Sequence, residues 1–326
     1  MNLTEMRTIR LWLLAAVLSL AAQAFAQTYP SRPVKIVIPY APGGALDIMG
    51  RTLSKEMQEI NGQPYLVENK GGAGGAIAAA EVSRASPDGY TILLGAIGPI
   101  SIAPAVYGAS AGFNPMTDLA PISLIATAPL MLVTNTTLPV KSVSELVAYA
   151  KTRSGKMNYA SAGTGGPDHL AGELFKSLTG LPAEHVPYKG SGPALTDAIA
   201  GHVQYLFVSP LPAMPLVESG KLRLLAVTGK ERSTAMPSIP TVAETLPGFD
   251  VVPWWGLFVP ASTPPPIVAK IAADAQKVIS RDEVQQSMRK RGIEPGTNTP
   301  QQFATFLRAD IAKWSAIVKE AGVKPE

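Results

Sequence analysis

Two short stretches carry glycines, hydroxyls and backbone amides in a spacing that suits an anion. The first, Pro42-Gly43-Gly44-Ala45, follows the apolar run from Val34 to Ile38 and precedes a segment, Leu46 to Ile60, with the apolar spacing of a helix. The second, Ser161-Ala162-Gly163-Thr164-Gly165-Gly166, stands in the same way between Met157 to Ala160 and Asp168 to Leu178. A glycine loop between a strand and a helix lets another molecule approach the backbone closely. It also aims the unpaired first N–H groups of the helix, and the positive end of its dipole, at one point. A carboxylate suits that point. The amides of Gly163 and Thr164, with the hydroxyls of Ser161 and Thr164, could grip it from the side opposite the first loop. Glycines in such loops also serve tight turns, and Ser161, Thr164 or Asp168 could cap the following helix without touching a ligand.

Other chemistries fit the chain less well. No Gly-x-x-x-x-Gly-Lys-Ser/Thr run is present, and Gly71 to Gly75 lacks the order and the acidic partner of a dinucleotide site. No Gly-x-Ser-x-Gly elbow occurs, so a secreted hydrolase has no nucleophile of that kind. The histidines are His169, His185 and His202, none spaced as a metal pair, and no metal or cofactor is expected. His169 lies beside the second loop, where a structural role is favoured over a cleft-facing one. Asp47, in the first turn of its helix, is expected to stabilise the helix start. Arg51 should be exposed or salt-bridged, and Trp254 and Trp255 should pack in a core or hinge rather than form a cage.

The N-terminus reads as an export leader. Arg7 and Arg10 precede an apolar run from Leu11 to Ala24, too short to span a bilayer comfortably, and Ala24-Phe25-Ala26 is a small-x-small cleavage site. Residues 1–26 are therefore assigned as a signal peptide, cleaved before Gln27, and the mature protein is expected to be soluble and exported. The chain has no cysteine, which excludes disulfides, lipid attachment at cysteine, a thiolate zinc site and a cysteine nucleophile. Its formal net charge of +4 comes from scattered Lys and Arg with no basic stripe, so nucleic acid is not an expected partner.

Positioning the two loops requires two α/β units. After the first loop, Tyr65 to Val67 and Tyr90 to Leu94 read as strands around an alanine-rich helix, the alternation of a parallel sheet flanked by helices. Pro121 to Thr134 reads as two strands that cross to a second unit, and Val251 to Pro260 as the return. The helical segments after Pro265 have no strands of their own and should pack back on the first unit. The expectation is an α/β protein of two lobes, 27–125 plus 253–326 and 126–252, joined by two crossings and able to hinge shut on a small ligand.

Five blocks of sequence resemble one known family. They are Tyr29-Pro-Ser-Arg-Pro-Val-Lys-Ile-Val-Ile-Pro-Tyr-Ala-Pro-Gly-Gly-Ala-Leu-Asp, Val67-Glu-Asn-Lys-Gly-Gly-Ala-Gly-Gly, Ser86-Pro-Asp-Gly-Tyr-Thr-Ile-Leu-Leu-Gly, His185-Val-Pro-Tyr-Lys-Gly-Ser-Gly-Pro-Ala-Leu-Thr-Asp and Trp254-Trp-Gly-Leu-Phe-Val-Pro-Ala-Ser-Thr-Pro. In this order they resemble the periplasmic receptors of tripartite tricarboxylate transporters, the Bug receptors. The resemblance implies a type II-like periplasmic binding fold, a monomer that closes on an organic acid and presents it to membrane permease subunits. It also implies a carboxylate held without arginine, by Gly43, Gly44 and Ala45 on one side and Ser161, Gly163 and Thr164 on the other. The distal part of the ligand would meet Ile97, Pro99, Ile100 and Val208, with Ser101 and Ser209 as polar groups. Nothing acidic in these segments would pair with an ammonium, so an acid with an apolar or aromatic body is expected rather than an amino acid. A sensor feeding a membrane kinase is the alternative use of such a receptor.

Overall fold

The computed structural model describes residues 29–152, 157–188 and 190–323; the expected leader and its cleavage site lie outside them. The β-branched run after Pro33 forms strand β1 (Val34–Ile38), and helix α1 (Ala45–Asn61) follows the first loop, ended by Gly62 in the left-handed conformation at φ 65°. Next come β2 (Tyr65–Asn69), α2 (Ala76–Ser83) and β3 (Thr91–Ala96). A π-helical turn, Gly98–Ile102, leads into α3 (Ala103–Tyr107) and then β4 (Leu119–Thr127).

The second lobe holds β5 (Met131–Asn135), α4 (Val143–Thr152), β6 (Met157–Ser161), α5 (Pro167–Thr179), β7 (Ala183–Pro187), α6 (Ser191–Ala200), β8 (Tyr205–Val208), α7 (Pro210–Glu218) and β9 (Leu222–Val227). The chain returns on β10 (Trp254–Pro260) and finishes with α8 (Pro265–Ile279), α9 (Asp282–Arg289), β11 (Glu294–Pro295) and α10 (Pro300–Ala321). Helix α7 carries Pro210, Pro212 and Pro215 and has no helical signature in the sequence. It forms because Pro210 sits at its first position, where the missing N–H is not needed.

A six-stranded sheet, in the order β11-β4-β10-β3-β1-β2, forms one lobe, and a five-stranded sheet, β7-β6-β8-β5-β9, forms the other. The sheets are mixed, which corrects the expectation of a parallel first sheet. Strands β1, β2 and β3 are parallel, as are β6, β7 and β8, but β10 runs against β3 and β4, and β5 against β8 and β9. The reason is entry direction. The chain enters each lobe from the other on β5 or β10, so these strands run away from the crossing while the loop-bearing strands run towards it.

The crossings are tied side by side. Ala128 N–H donates to Pro253 O at 2.9 Å, and Thr228 Oγ1 accepts from Leu130 N–H at 2.8 Å and donates to Val251 O at 2.5 Å. On the same side, Glu294 of the first sheet accepts from Ser233 Oγ, Thr234 Oγ1 and Ala235 N–H of the segment between β9 and β10.

The C-terminal helices pack on the first sheet and its helices. Ile271, Ala275 and Val278 of α8 are buried with Leu53 and Met57 of α1, and Phe303, Leu307 and Trp314 of α10 with Trp254 and Phe258 of β10. Trp254 and Trp255 are thus core residues. Among the described residues, no helix is long and apolar enough to cross a membrane.

Candidate functional site

Both loops lie at the C-terminal ends of parallel strands, where successive strand-to-helix connections converge. In the first lobe, Gly43 adopts φ +87°, a conformation that disfavours side chains, and its N–H donates to Asp47 Oδ2 at 3.0 Å. Arg51 Nε reaches the same oxygen at 3.0 Å, and Asn69 Nδ2 holds the Tyr40 carbonyl at 3.0 Å. Asp47 is buried while Arg51 stays largely exposed. Burial opposes ionisation of Asp47, but bonds from Arg51, Gly43 and Asn69 outweigh it and hold the carboxyl below its usual range.

The aspartate therefore fixes the loop and its charge is balanced by Arg51. Gly43 corrects the expectation in one respect, because its amide is already used by Asp47. Gly44 and Ala45 stand at the helix entrance, where the first N–H groups have no partner within the helix.

The second loop is held by three side chains. Asp168, in the first turn of α5, accepts from Ala162 N–H; His169 Nδ1 accepts from Gly165 N–H at 3.0 Å; and His185 Nε2 lies 2.6 Å from Ser161 Oγ. Ser161 is almost fully buried, donating to Gly163 O at 3.0 Å and accepting from Gly163 N–H at 3.2 Å. The hydroxyl of Ser161 and the amide of Gly163 thus shape the loop before any ligand contact. Burial pushes the Asp168 carboxyl up to about 6, against the pull of the Ala162, Asp168 and His169 amides.

The lobes meet at these loops. The Tyr40 phenol, just before the first loop, is pushed up by burial and by the Asp168 carboxylate of the other lobe. A β-carbon added at Gly165 would stand 3.6 Å from Val106 of α3, and one at Gly98 would collide with the Tyr40 hydroxyl. Tyr40 borders both loops, and sequence reasoning passed over it; its signal was an aromatic hydroxyl directly before the first glycine loop.

The distal residues divide. Ile97, Pro99, Ile100 and Ser101 are buried, and Ile100 and Ser101 are fully so. Ser101 corrects the expectation: its hydroxyl donates to Asp310 Oδ2 of α10 at 2.5 Å, because the π-helical turn points this side chain into the core of the first lobe. Ser209 follows β8 at the N-cap of α7, and its buried Oγ has no hydrogen-bond partner among the described residues. Among those residues, no group of three or more His, Asp or Glu side chains is placed to hold a metal ion.

His185, assigned only to a strand by its sequence, proves part of this arrangement. Burial, then the neighbouring His169, lowers its pKa from 6.5 to about 4. The native state therefore refuses a proton that the unfolded chain accepts below pH 6.5. Stability is unaffected by this group above pH 6.5, falls as the pH drops towards 4, and has lost the full contribution below that. Replacing His185 by Phe should remove this dependence. By chemical denaturation, the variant should gain on the order of 2 kcal/mol relative to wild type between pH 7 and pH 4, the full linkage value being reduced by solvent screening at this partly exposed ring. A constant difference across that range would contradict the assignment.

Comparison with known proteins extends over nearly the whole chain. A family model described as "Tripartite tricarboxylate transporter family receptor" matches residues 49–323. BugT of Bordetella pertussis is 35% identical over 329 residues, covering 99% of this chain and 99% of its own. The structure of R. palustris Rpa4515 with adipate superposes with a TM-score of 0.85 at 35% identity, covering 91% of this chain and 100% of the other. MatC of Rhodopseudomonas palustris with bound malate gives 0.80 at 33% identity, covering 89% and 100%.

Proposed function

The chain belongs to the tripartite tricarboxylate transporter receptor family, and from that premise we propose that it is an extracytoplasmic receptor whose lobes close on a small organic carboxylate and deliver it to a membrane permease. The observation that carries this reading is the entrance of α1. Asp47 takes the Gly43 amide and is itself neutralised by Arg51, so the N–H groups of Gly44 and Ala45 and the helix dipole are left for an anion. The second loop, held by Asp168, His169 and His185, brings its helix entrance and Thr164 to the cleft from the other lobe. The similar structures of Rpa4515 with adipate and MatC with bound malate support an organic acid of that size.

Ser209 and Tyr40 supply polar groups for the distal part of the ligand, within an apolar surround that includes Val208. Removing the Ser209 hydroxyl should cost the fold little, since it has no hydrogen-bond partner among the described residues. Ser209→Ala should leave the thermal transition in place while weakening acid binding by about 1 kcal/mol. Calorimetric titration checks it, and an unchanged affinity would remove Ser209 from the site.

The receptor reading is tested by native mass spectrometry of the protein from Gln27, as purified and after refolding, against adipate, malate and aromatic mono- and dicarboxylates. A stoichiometric acid, selectively rebound, is the expected result. Tight, selective binding of glutamate or aspartate would overturn the preference for an acid without an ammonium group. Gene neighbours separate permease delivery from kinase sensing.

One observation favours a second reading: Ser161 Oγ lies 2.6 Å from His185 Nε2, the pairing of a hydrolytic nucleophile with its base. Against it, the hydroxyl is buried and also bonded to Gly163 O. Ester hydrolysis lost in Ser161→Ala would establish this reading; its absence in the wild type would end it.

A further inference from the structure

We propose that the stacked imidazoles of His169 and His185 are positioning residues for the second glycine loop, each holding one of its polar atoms from behind. The register of the second sheet makes this possible. His185 of β7 pairs with Tyr159 of β6, and Ser161 lies two residues further along the same face, so the ring reaches its hydroxyl at 2.6 Å. His169 arrives from the other direction, near the start of α5, and takes the Gly165 amide at 3.0 Å. The two rings meet with centroids 3.9 Å apart and planes 21° from parallel. The column continues through Tyr159, 5.0 Å from His185, to Tyr205, 5.6 Å from Tyr159.

The arrangement dictates protonation. Nδ1 of His169 accepts a backbone N–H, so its lone pair must lie there and the ring proton on Nε2. That nitrogen faces Glu173 Oε1 at 3.9 Å. The same oxygen accepts from Tyr159 Oη at 2.5 Å and Lys176 Nζ at 2.8 Å. The charged and titratable groups around the pair are therefore Tyr159 and Tyr205 from the sheet, and Asp168, Glu173 and Lys176 from α5. Charging both rings would set two cations 3.9 Å apart, so the stack opposes the doubly protonated state. Any consequence for ligand binding rests on the receptor reading above, whereas the ordering of the loop does not.

The test uses the ligand-free protein, so its failure is distinct from a failure to bind an acid. Hydrogen exchange of the peptide covering the second loop is compared in wild type, His185→Phe, His185→Gln and Ser161→Ala, with thermal melts alongside. Phe preserves stacking and removes the nitrogen that meets Ser161 Oγ, while Gln removes the ring and keeps a side-chain amide able to hydrogen-bond that hydroxyl. Loop exchange should rise about ten-fold in His185→Phe and Ser161→Ala, rise no further when the two are combined, and change by less than about two-fold in His185→Gln. Wild-type exchange in His185→Phe, or additive effects in the double variant, would overturn the proposal. Should a variant fail to fold, the imidazole nitrogen chemical shifts of the wild type decide. A lone pair on Nδ1 of His169 supports the assignment, and a proton there refutes it.

Discussion

Gly44→Leu should abolish recognition of the bound acid, lowering affinity by ~100-fold or more, while the thermal transition stays near its wild-type value. The reason lies in what surrounds this glycine. Its φ is −81°, ordinary for any residue, and a β-carbon added there would meet only Ala41 O, at 4.0 Å. The fold therefore accepts a side chain at position 44. A leucine would nevertheless stand beside the amides of Gly44 and Ala45, the donors that Asp47 leaves open, and block an anion from reaching them.

Gly43 makes the control. Its φ of +87° disfavours any side chain, so Gly43→Ala should cost about 1 kcal/mol of stability by strain. Titration with the acid identified by mass spectrometry, paired with thermal melts, distinguishes the two effects. Normal binding by Gly44→Leu would take the first loop out of the site.

Asp310→Ala should produce the largest loss of stability, about 3–5 kcal/mol. This carboxylate of α10 is 8% exposed and accepts three hydrogen bonds: from Ser101 Oγ at 2.5 Å, Trp254 Nε1 at 2.8 Å and Trp314 Nε1 at 3.1 Å. Burial pushes its pKa up, and the three donors and Lys313 pull against that. Alanine would leave three buried donors without an acceptor and open a cavity between the return strand, the π-helical turn and the last helix. Asn keeps one acceptor oxygen and should lose distinctly less. Urea denaturation of both variants measures the difference. A loss below about 1 kcal/mol in Asp310→Ala would mean that the donors find other partners. Because the same turn carries Gly98 beneath Tyr40, a destabilised Asp310 variant should also bind acid more weakly.

Much of the architecture was legible because local rules governed it. The β-branched run after Pro33, the apolar spacing of α1 and α5 and the glycines ending them each declare their structure within a few residues. The two glycine loops were legible for the same reason, since a strand, a flexible turn and a helix start are contiguous in the chain. Helix α7 was not, because its prolines argue against a helix unless Pro210 is known to stand at its first position. The direction of β5 and β10 was not legible either, since it follows from where the chain enters a lobe and leaves no mark on composition.

At the candidate site, the sequence by itself determined which segments join a strand, a glycine turn and a helix start, and that no cysteine chemistry is available. Only the tertiary structure decided how each polar atom is used. Ser101 serves Asp310, 209 positions away in the chain; Ser161 serves His185, which arrives on a neighbouring strand; the Gly43 amide serves Asp47; and Ser209 is left without a partner among the described residues. Backbone conformation depends on near neighbours and is written locally. A hydroxyl or amide takes whichever partner the packed core brings within about 3 Å, and that partner is chosen by packing rather than by distance along the chain.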